Sequence, residues 1–360
     1  MLTMTTAGES HGPALVAIVT GVPAGLVLER KTIDADLHRR QQGYGRSPRQ
    51  QLERDEVEVL AGLRHGRTLG TPLALVVRNR DHENWAWGMS PWPPKGEPEG
   101  KGTKPVTLPR PGHADLAGAQ KFGLEDVRDA FERASARQTA VAVAAGSVAK
   151  GLLREIGIEV RGEATPAGGA DDAAVDAARK DRDTLGGVVE VRARGVPPGL
   201  GSYATKDDRL DARLAAALMG IQAVKGVEVG EGFGLAGLRG SEAHDEIVRD
   251  DHGLRRTSNR AGGIEGGVSN GEEIVVRAAM KPLPTLMQPL ASVELQSGEP
   301  GEALVERSDV SAVEALAVVA ETAVAFELAR AAREKFGGDA LGDFVSAHRA
   351  YVERIDWQPR

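Results

Sequence analysis

The sequence predicts an α+β fold in which long helices of small residues lie buried between layers. Segments 135–156 and 208–224 support this prediction, because small residues occupy many of their positions and fit between packed elements. A third observation is an internal repeat. The segment GVPAGL at 21–26 returns as GVPPGL at 195–200, and a helix-patterned segment follows each copy. We therefore expect a core built from two related halves.

The composition is typical of a globular protein. The chain has 360 residues, 41% of them hydrophobic and 27% charged, which is enough for one large domain or two moderate ones. It has no cysteine and no zinc-motif spacing of histidines, so we expect neither disulfides nor a metal. No apolar run approaches the roughly 18 residues of a membrane span, and the first residues lack a secretory pattern. We expect a cytoplasmic protein without a membrane partner.

The distribution of charge indicates the kind of ligand. A net charge of −7 argues against a general nucleic-acid binder. Arginines nevertheless concentrate on loops and helix ends of the first 140 residues, at Arg39, Arg40, Arg46, Arg49, Arg110, Arg133 and Arg137. In an acidic protein this concentration favours a compact anionic ligand.

The first elements are read from hydrophobic pattern and turn residues. A turn-like GESHG places His11 between small residues, where we expect an accessible imidazole, and a buried strand follows at 14–20. A helix ends near Arg40, with Thr32 or Asp34 as its cap, and strands are predicted at 57–60 and 71–77. Residues 78–107 form a long loop rich in Pro and Gly with three tryptophans, which favours a lid or a subunit contact.

Residues 109–145 contain the densest chemistry. Arg110, His113 and Asp115 precede a long Ala/Val helix that begins near Ser135 and has Gly157 as its stop. The start of that helix offers free backbone N–H groups and a positive dipole end, which suit phosphate or carboxylate. A proton donor and an anion site thus lie within one continuous segment.

The second half repeats these themes. We expect a strand at 187–194, a helix at 208–224, a strand at 273–280, a basic turn KPLPT at 281–285 and a last long helix at 310–335, capped by Ser308 or Asp309. A G-x-G-x-x-G at Gly232, Gly234 and Gly237 is not read as a dinucleotide motif, because no helix pattern follows it. The glycine-rich stretch 260–271 is either a ligand-approach loop or a plain hairpin.

Residue chemistry alone indicates a lyase or transferase acting on a small phosphorylated acid. Two loop histidines, clustered arginines and a helix start suited to phosphate can bind a polyanion and move protons. No P-loop is present.

Several long motifs make the sequence resemble the chorismate synthase family. In order from residue 7 to about residue 330, these are GESHG, GYGR, RPGHAD, RASAR with TA, GVPPGLGS, QAVKGVEVGEGF, SNRAGGIEGGVSNG, KPLPT and RSDVSAV. The resemblance implies a 1,4-anti elimination of phosphate from 5-enolpyruvylshikimate 3-phosphate, which yields chorismate and requires reduced FMN. It also implies a β-α-β sandwich with long helices between two antiparallel sheets, a single domain over 1–360 with a helical tail at 310–360, and a homotetramer.

The resemblance also assigns residues. It implies that His11 faces the departing phosphate, that His113 lies by the flavin, and that Asp309 acts near flavin N5. Matched FMN positions are Arg133, Ala134, Ser135, Gln222, Ala223, Gly266, Lys281, Pro282, Leu283, Pro284, Thr285 and Arg307. Arg40 and Arg46 match positions assigned to NADPH and equally suit substrate carboxylates. Further candidates for binding the substrate's anionic groups are Ser10, Arg49, Arg110 and Arg137.

Two departures and two alternatives remain open at this point. Gln138 and Ala142 stand where the family has Glu and often Arg, which removes either an ion pair or a ligand contact.

One alternative is a protein that binds flavin or a phosphorylated metabolite without catalysis. The other is a flavin reductase that uses NADPH directly. No reductase domain is evident, so we expect reduced flavin to come from elsewhere, with NADPH as an indirect reductant or through a separate flavin reductase.

Overall fold

The computed structural model describes residues 1–46, 54–166, 171–250, 253–305 and 309–359. Within them, two four-stranded antiparallel sheets organise the chain. The first has the order β1 (Thr3–Ala7), β2 (Ala14–Thr20), β6 (Leu73–Arg78) and β3 (Val57–Ala61). The second has the order β7 (Glu159–Thr165), β8 (Gly187–Arg194), β14 (Ile274–Met280) and β9 (Val224–Val229). Strands and helices share the chain, as the α+β prediction requires.

Smaller ribbons and the helices complete the described chain. Two-stranded ribbons pair β4 (Leu63–Arg64) with β5 (Arg67–Thr68), β10 (Ile247–Asp250) with β11 (Gly253–Arg256), β12 (Ile264–Glu265) with β13 (Val268–Ser269), and β15 (Ala291–Val293) with β16 (Pro300–Glu302). The α-helices are α1 (Arg30–Gln41), α2 (Asp115–Phe122), α3 (Arg128–Ala134), α4 (Thr139–Arg154), α5 (Asp172–Lys180), α6 (Leu210–Met219), α7 (Gly240–Ala243), α8 (Val313–Phe336) and α9 (Leu341–Arg354). Short 3₁₀ turns occupy Arg80–Trp85, Ala136–Gln138 and Gly232–Gly237.

Helices α4 and α8 form the centre of the core. They pack against one another, α4 also contacts the first sheet, and α8 contacts β7 and β8 of the second. Buried residues cover all sides of α4, which confirms the predicted burial for this part of 135–156. The predicted start near Ser135 is wrong, because a 3₁₀ turn at Ala136–Gln138 precedes the helix. The helices approach closely at Gly146, where an added Cβ would lie 2.4 Å from the Cβ of Thr322. Small residues are therefore needed at this crossing.

A charged cluster joins α1, α4 and α8 inside this core. Glu321 is fully buried, and Arg39 donates to both its oxygens at 2.9 Å. Lys150 lies 2.5 Å from Glu321 and 2.8 Å from Asp36. The backbone N–H of Gly162 in β7 donates to the same glutamate at 2.9 Å. Two cations thus balance two buried carboxylates, as buried charges require.

The second predicted helix is shorter and less buried than expected. It ends at Met219 rather than near 224, and only Leu210, Leu214 and Leu218 are buried. The prediction of burial on two faces is therefore wrong for this helix in the single chain. After Gly220, Ala223 adopts a positive φ of 68°, and the chain enters β9, which pairs with β14. Pairing of this segment with the sheet therefore outweighs its helix propensity.

The predicted start of the last helix is also wrong. The helix begins at Val313, and its N-cap residue Ala312 makes no side-chain capping bond. Asp309 instead lies 2.7 Å from Arg46, and Ser308 falls outside the described residues. Strand β1 was not predicted; it pairs with β2 over Thr3–Ala7.

Candidate functional site

A cavity of 460 Å³ lies where several loops and helix starts converge. The elements that line it are the end of α1, the loop before α2, the segment leading into α4, the turn into β9, the turn after β14 and the first turns of α8. Its walls are Arg40, Arg46, Gly112, His113, Ala114, Ala134, Ala136, Thr139, Ile221, Gln222, Ala223, Val224, Lys225, Met280, Lys281, Leu283, Pro284, Ala312, Ala315, Leu316 and Val319. The cavity therefore combines apolar walls with cationic side chains.

Arg40 is held firmly in the wall. Its Nε donates to Thr139 Oγ1 at 2.8 Å, and its Nη2 donates to the Ala136 carbonyl at 3.0 Å. Burial lowers the pKa of Arg40 to about 9, against the raising effect of Asp55, which lies 3.6 Å away. Arg40 remains a cation at neutral pH. It therefore places a positive charge at the start of α4, where the helix dipole adds to it.

The other cations occupy two sides of the cavity. Arg46 pairs with Asp309, and both side chains are nearly buried. Lys281 Nζ donates to the carbonyl of Gly112, which links the turn after β14 to the loop before α2. Burial and the neighbouring charge of Lys225 lower the pKa of Lys281. A multiply charged anion would satisfy this concentration of positive charge.

His113 faces the cavity with its orientation fixed by Asp115. Its Nδ1 lies 2.5 Å from Asp115 Oδ1, and Arg110 donates to Asp115 from its backbone at 3.0 Å and from Nε at 2.9 Å. Burial alone would raise the pKa of Asp115, but the bonds from His113 and Arg110 outweigh burial and hold that pKa well below its usual range. An ionised Asp115 accepts the Nδ1 proton, so Nε2 is the nitrogen left for a ligand.

His11 occupies a neighbouring position outside the cavity walls. Its imidazole is 14% exposed, so the ring is partly accessible. Nδ1 lies 2.8 Å from the buried Glu132, and the ring stacks on Trp85 at a centroid distance of 3.9 Å. The Ser135 hydroxyl lies 3.3 Å from Ser10 Oγ, which joins the His11 loop to the segment before α4.

The structure brings many of the predicted site residues together at one place. Residues that line the cavity are Arg40, Arg46, His113, Ala134, Gln222, Ala223, Lys281, Leu283 and Pro284. Pro282 lies in the same turn as Lys281, Leu283 and Pro284. Thr285 accepts a hydrogen bond from Arg110 at 3.3 Å, and Asp309 forms an ion pair with Arg46 of the cavity wall. The sequence motifs and the cavity therefore coincide.

Other predicted residues are engaged elsewhere. Arg133 donates to the carbonyls of Thr6 at 3.0 Å and Gly8 at 3.3 Å, and so anchors β1. Arg137 binds Asp55 at 2.6 Å and donates to Asn79 at 2.9 Å. Gly266 lies at the turn of the β12–β13 hairpin, away from the cavity walls. Arg49 and Arg307 lie outside the described residues. The ligand roles of all these residues stay predictions.

Sequence reasoning missed four residues around these centres. Lys225 lines the cavity, Asp55 holds two of the arginines, and Glu132 and Trp85 contact His11. Lys225 had a detectable signal, since it follows Gln222 and Ala223 in the same motif. No sequence signal could have identified the other three, Asp55, Glu132 and Trp85, because their partners are distant in sequence.

The fold and the cavity define an α+β protein with a cationic cavity that suits a compact anion and has a histidine in its wall. Within the described part of the chain, no group of side chains is arranged to hold a metal, and no helix is long and apolar enough to cross a membrane. The cavity's cations and His113 can provide electrostatic stabilisation and acid–base chemistry.

Comparison with known proteins names the family. A family model described as chorismate synthase matches residues 2–332. The chorismate synthase of Desulforudis audaxviator is 53% identical over 99% of this chain and 98% of that protein. The one from Rubrobacter xylanophilus is 53% identical over 98% of this chain and 96% of that protein. A crystal structure of chorismate synthase superposes with a TM-score of 0.78, at 35% identity and covering 99% of this chain and 98% of that one. The chain belongs to the chorismate synthase family.

Proposed function

We propose that this chain is a carbon–oxygen lyase that converts 5-enolpyruvylshikimate 3-phosphate to chorismate. The 1,4-anti elimination breaks the ring C–O bond to phosphate and removes a ring proton. The observation that carries the proposal is the cavity in which His113, bound through Nδ1 to Asp115, lies among Arg40, Arg46 and Lys281 in a chain of this family. The cations suit a phosphate and two carboxylates, and the imidazole suits proton management.

The cavity residues fit reduced FMN, the cofactor that the family implies. The cavity has apolar walls at Ala134, Leu283 and Pro284 and cations for a phosphate at Lys225 and Lys281. Gln222 adds a specific feature: its Oε1 is buried and has no hydrogen-bond partner among the described residues. A ring N–H would satisfy it. When bound, reduced FMN supplies electron density while phosphate leaves, without net oxidation.

We propose distinct roles for this chain's own groups. His11 protonates the departing phosphate, while His113 holds a proton beside the cofactor, with Nδ1 committed to Asp115. Asp309, which pairs with Arg46 of the cavity wall, assists removal of the ring proton. Ser10, Arg49, Arg110 and Arg137 bind the substrate's anionic groups. Arg40 and Arg46 bind substrate or NADPH. The residues that bind FMN are Arg133, Ala134, Ser135, Gln222, Ala223, Gly266, Lys281, Pro282, Leu283, Pro284, Thr285 and Arg307.

We extend the proposal to architecture and setting. The sheet orders β1-β2-β6-β3 and β7-β8-β14-β9 support a β-α-β sandwich of two related halves in a single domain. A homotetramer would cover the exposed side of α6, including Met219, which is 48% exposed. Sedimentation equilibrium would test the assembly: a mass other than four chains would contradict it. We propose a cytoplasmic location, with flavin reduced by a separate enzyme.

The decisive experiment is an anaerobic assay with photoreduced FMN and 5-enolpyruvylshikimate 3-phosphate. Formation of chorismate and phosphate in equal amounts is expected, and omission of the reductant should abolish both. Flavin binding without phosphate release would favour the non-catalytic alternative. NADPH oxidation by the chain without substrate would favour the reductase alternative and contradict an external source of reduced flavin.

A further inference from the structure

A second histidine centre lies next to the cavity and is built around Glu132. This residue is 1% exposed and lies in α3, which ends at Ala134. Its Oε2 accepts the backbone N–H of His11 at 2.8 Å, and its Oε1 lies 2.8 Å from Nδ1 of the same residue. Its backbone carbonyl accepts the N–H of Ser10 at 3.0 Å. One residue therefore holds both the main chain and the ring of His11.

Trp85 restrains the face of the same imidazole. The rings stack with an interplanar angle of 19°, and Trp85 is itself only 8% exposed. Its indole Nε1 donates to Asp81 at 3.0 Å, and Lys101 pairs with that carboxylate at 3.0 Å. The stacking partner is thus fixed by its own bonds. With one ring face against Trp85 and the Nδ1 edge against Glu132, the Nε2 edge of His11 remains.

Arg128 supplies the balancing charge. Its guanidinium lies 5.3 Å over the Trp85 ring, and Nη1 is 3.9 Å from Glu132 Oε1, too far for a hydrogen bond. Nε and Nη1 are buried and make no hydrogen bond within the described residues. Arg128 therefore stabilises an ionised Glu132 through space and does not compete with His11 for its oxygens.

We propose that Glu132 and Trp85 are positioning residues for His11, which fix it as an Nδ1–H donor to Glu132 and direct Nε2 toward the reacting phosphate. The geometry requires a carboxylate, because His11 presents two N–H donors side by side. A glutamine at this position would offer one acceptor oxygen and one NH₂ group. Its NH₂ group would face one of the two N–H donors of His11, and two donors cannot form a hydrogen bond. The catalytic part of this proposal rests on the proposed function, whereas the tautomer of His11 does not.

The first test reads the tautomer directly. In ¹⁵N-histidine-labelled protein, a His11→Asn variant assigns the His11 signals. The neutral ring of the native protein is expected to carry its proton on Nδ1, while the imidazolium, which donates to phosphate, carries a second proton on Nε2. Glu132→Gln is expected to move the proton partly or wholly to Nε2. A native spectrum in which the neutral His11 ring carries its proton on Nε2 would overturn the proposal, whether or not the enzyme makes chorismate and whether or not the variant folds.

The second test reads catalysis. Glu132→Gln is expected to lower kcat about 10-fold or more with KM little changed, since positioned acid–base groups contribute roughly 10²–10⁴. The limb of the pH–kcat profile that depends on protonated imidazole should move to lower pH, because a neighbouring negative charge is lost. Unaltered kcat and pH profile in this variant would contradict the positioning role.

Two further variants complete the design. Glu125→Gln makes the same chemical change at an exposed glutamate near the start of α3 and should leave kcat and the spectrum unchanged. Trp85→Phe retains an aromatic face for stacking, whereas Trp85→Leu removes it. We expect kcat to fall more in Trp85→Leu than in Trp85→Phe, and equal values in the two variants would remove Trp85 from the proposal.

Discussion

His11 and His113 are oriented by the same device. Each imidazole directs Nδ1 at a buried carboxylate, Glu132 at 2.8 Å and Asp115 at 2.5 Å, and each carboxylate is 1% exposed. The carboxylates come from different distances along the chain: Asp115 follows His113 by two residues, while Glu132 lies 121 residues from His11. Both histidines therefore have one committed nitrogen and one nitrogen left for chemistry.

Replacement of His113 by alanine tests the proton role at the cavity. We expect His113→Ala to lower turnover by about 10-fold or more, because general acid–base groups contribute roughly 10²–10⁴. Reduced FMN should still bind, since the cationic walls remain. Stopped-flow turnover and a flavin titration measure the two effects separately, and wild-type turnover in the variant would exclude His113 from the mechanism.

At the scale of elements, the closest approach between α4 and α8 depends on a missing side chain. Gly146 faces Thr322, and an added Cβ would lie 2.6 Å from the Thr322 carbonyl oxygen as well as 2.4 Å from its Cβ. Backbone on one helix cannot move aside without disturbing the other. The glycine is therefore set by packing, despite its cost to helix propensity.

Two glycine substitutions in α4 separate packing from propensity. We expect Gly146→Ala to destabilise the protein by about 1–3 kcal/mol through overpacking. Gly151→Ala in the same helix would meet Leu28 Cδ2 at 3.5 Å, an ordinary contact. That change should be neutral or stabilising by about 0.5–1 kcal/mol from helix propensity. Thermal unfolding measures both, and equal shifts in the two variants would contradict the close crossing.

At the scale of the molecule, the buried charges join elements from both ends of the chain. Asp36 and Arg39 come from α1, Lys150 from α4 and Glu321 from α8. Burial alone would raise the pKa of Asp36 and of Glu321, but the cations Lys150 and Arg39 outweigh it and lower both. The same bonds raise the pKa of Arg39. The cluster therefore remains ionised at neutral pH.

Removing one charge from this cluster should be costly. Glu321→Gln leaves two cations with Asp36 alone, and the loss of one partner of a buried pair costs about 3–5 kcal/mol. Glu334→Gln is the matched control on the same helix, because Glu334 is 31% exposed and pairs with Arg213 near the surface. Surface pairs contribute about 0–1 kcal/mol. Similar melting temperatures for the two variants would show that the cluster adds no stability.

The lowered carboxylate pKa values also predict acid sensitivity. Unfolded Asp and Glu titrate near pH 4, whereas Asp36 and Glu321 stay ionised to lower pH in the folded chain. The unfolded state therefore binds more protons below about pH 4, and stability falls there as pH decreases. Their contribution is fully present above about pH 5. Melting temperatures measured from pH 7 to pH 3 test this prediction. We expect the melting temperature to fall less with decreasing pH in Lys150→Met than in the native protein, and an equal fall in both would contradict the prediction.

Patterns along the chain by themselves determined several elements and one histidine centre. The strands at 14–20 and 187–194 and the burial of α4 were predicted because periodicity reports burial directly. His113 was recognisable with Asp115 because the pair is local. The family motifs likewise gathered the cavity residues Gln222, Ala223, Lys281, Leu283 and Pro284 before any contact was known.

Only the tertiary structure decided which partner each charged group takes. Arg133 binds β1, Arg137 binds Asp55, and His11 is held by Glu132. It also decided that α6 buries a single stripe, because its other positions are half-buried or exposed in the described structure. The physical reason is the same in each case. A contact between residues far apart in sequence leaves no periodic signal, and its partner is chosen by packing and charge balance once the layers have assembled.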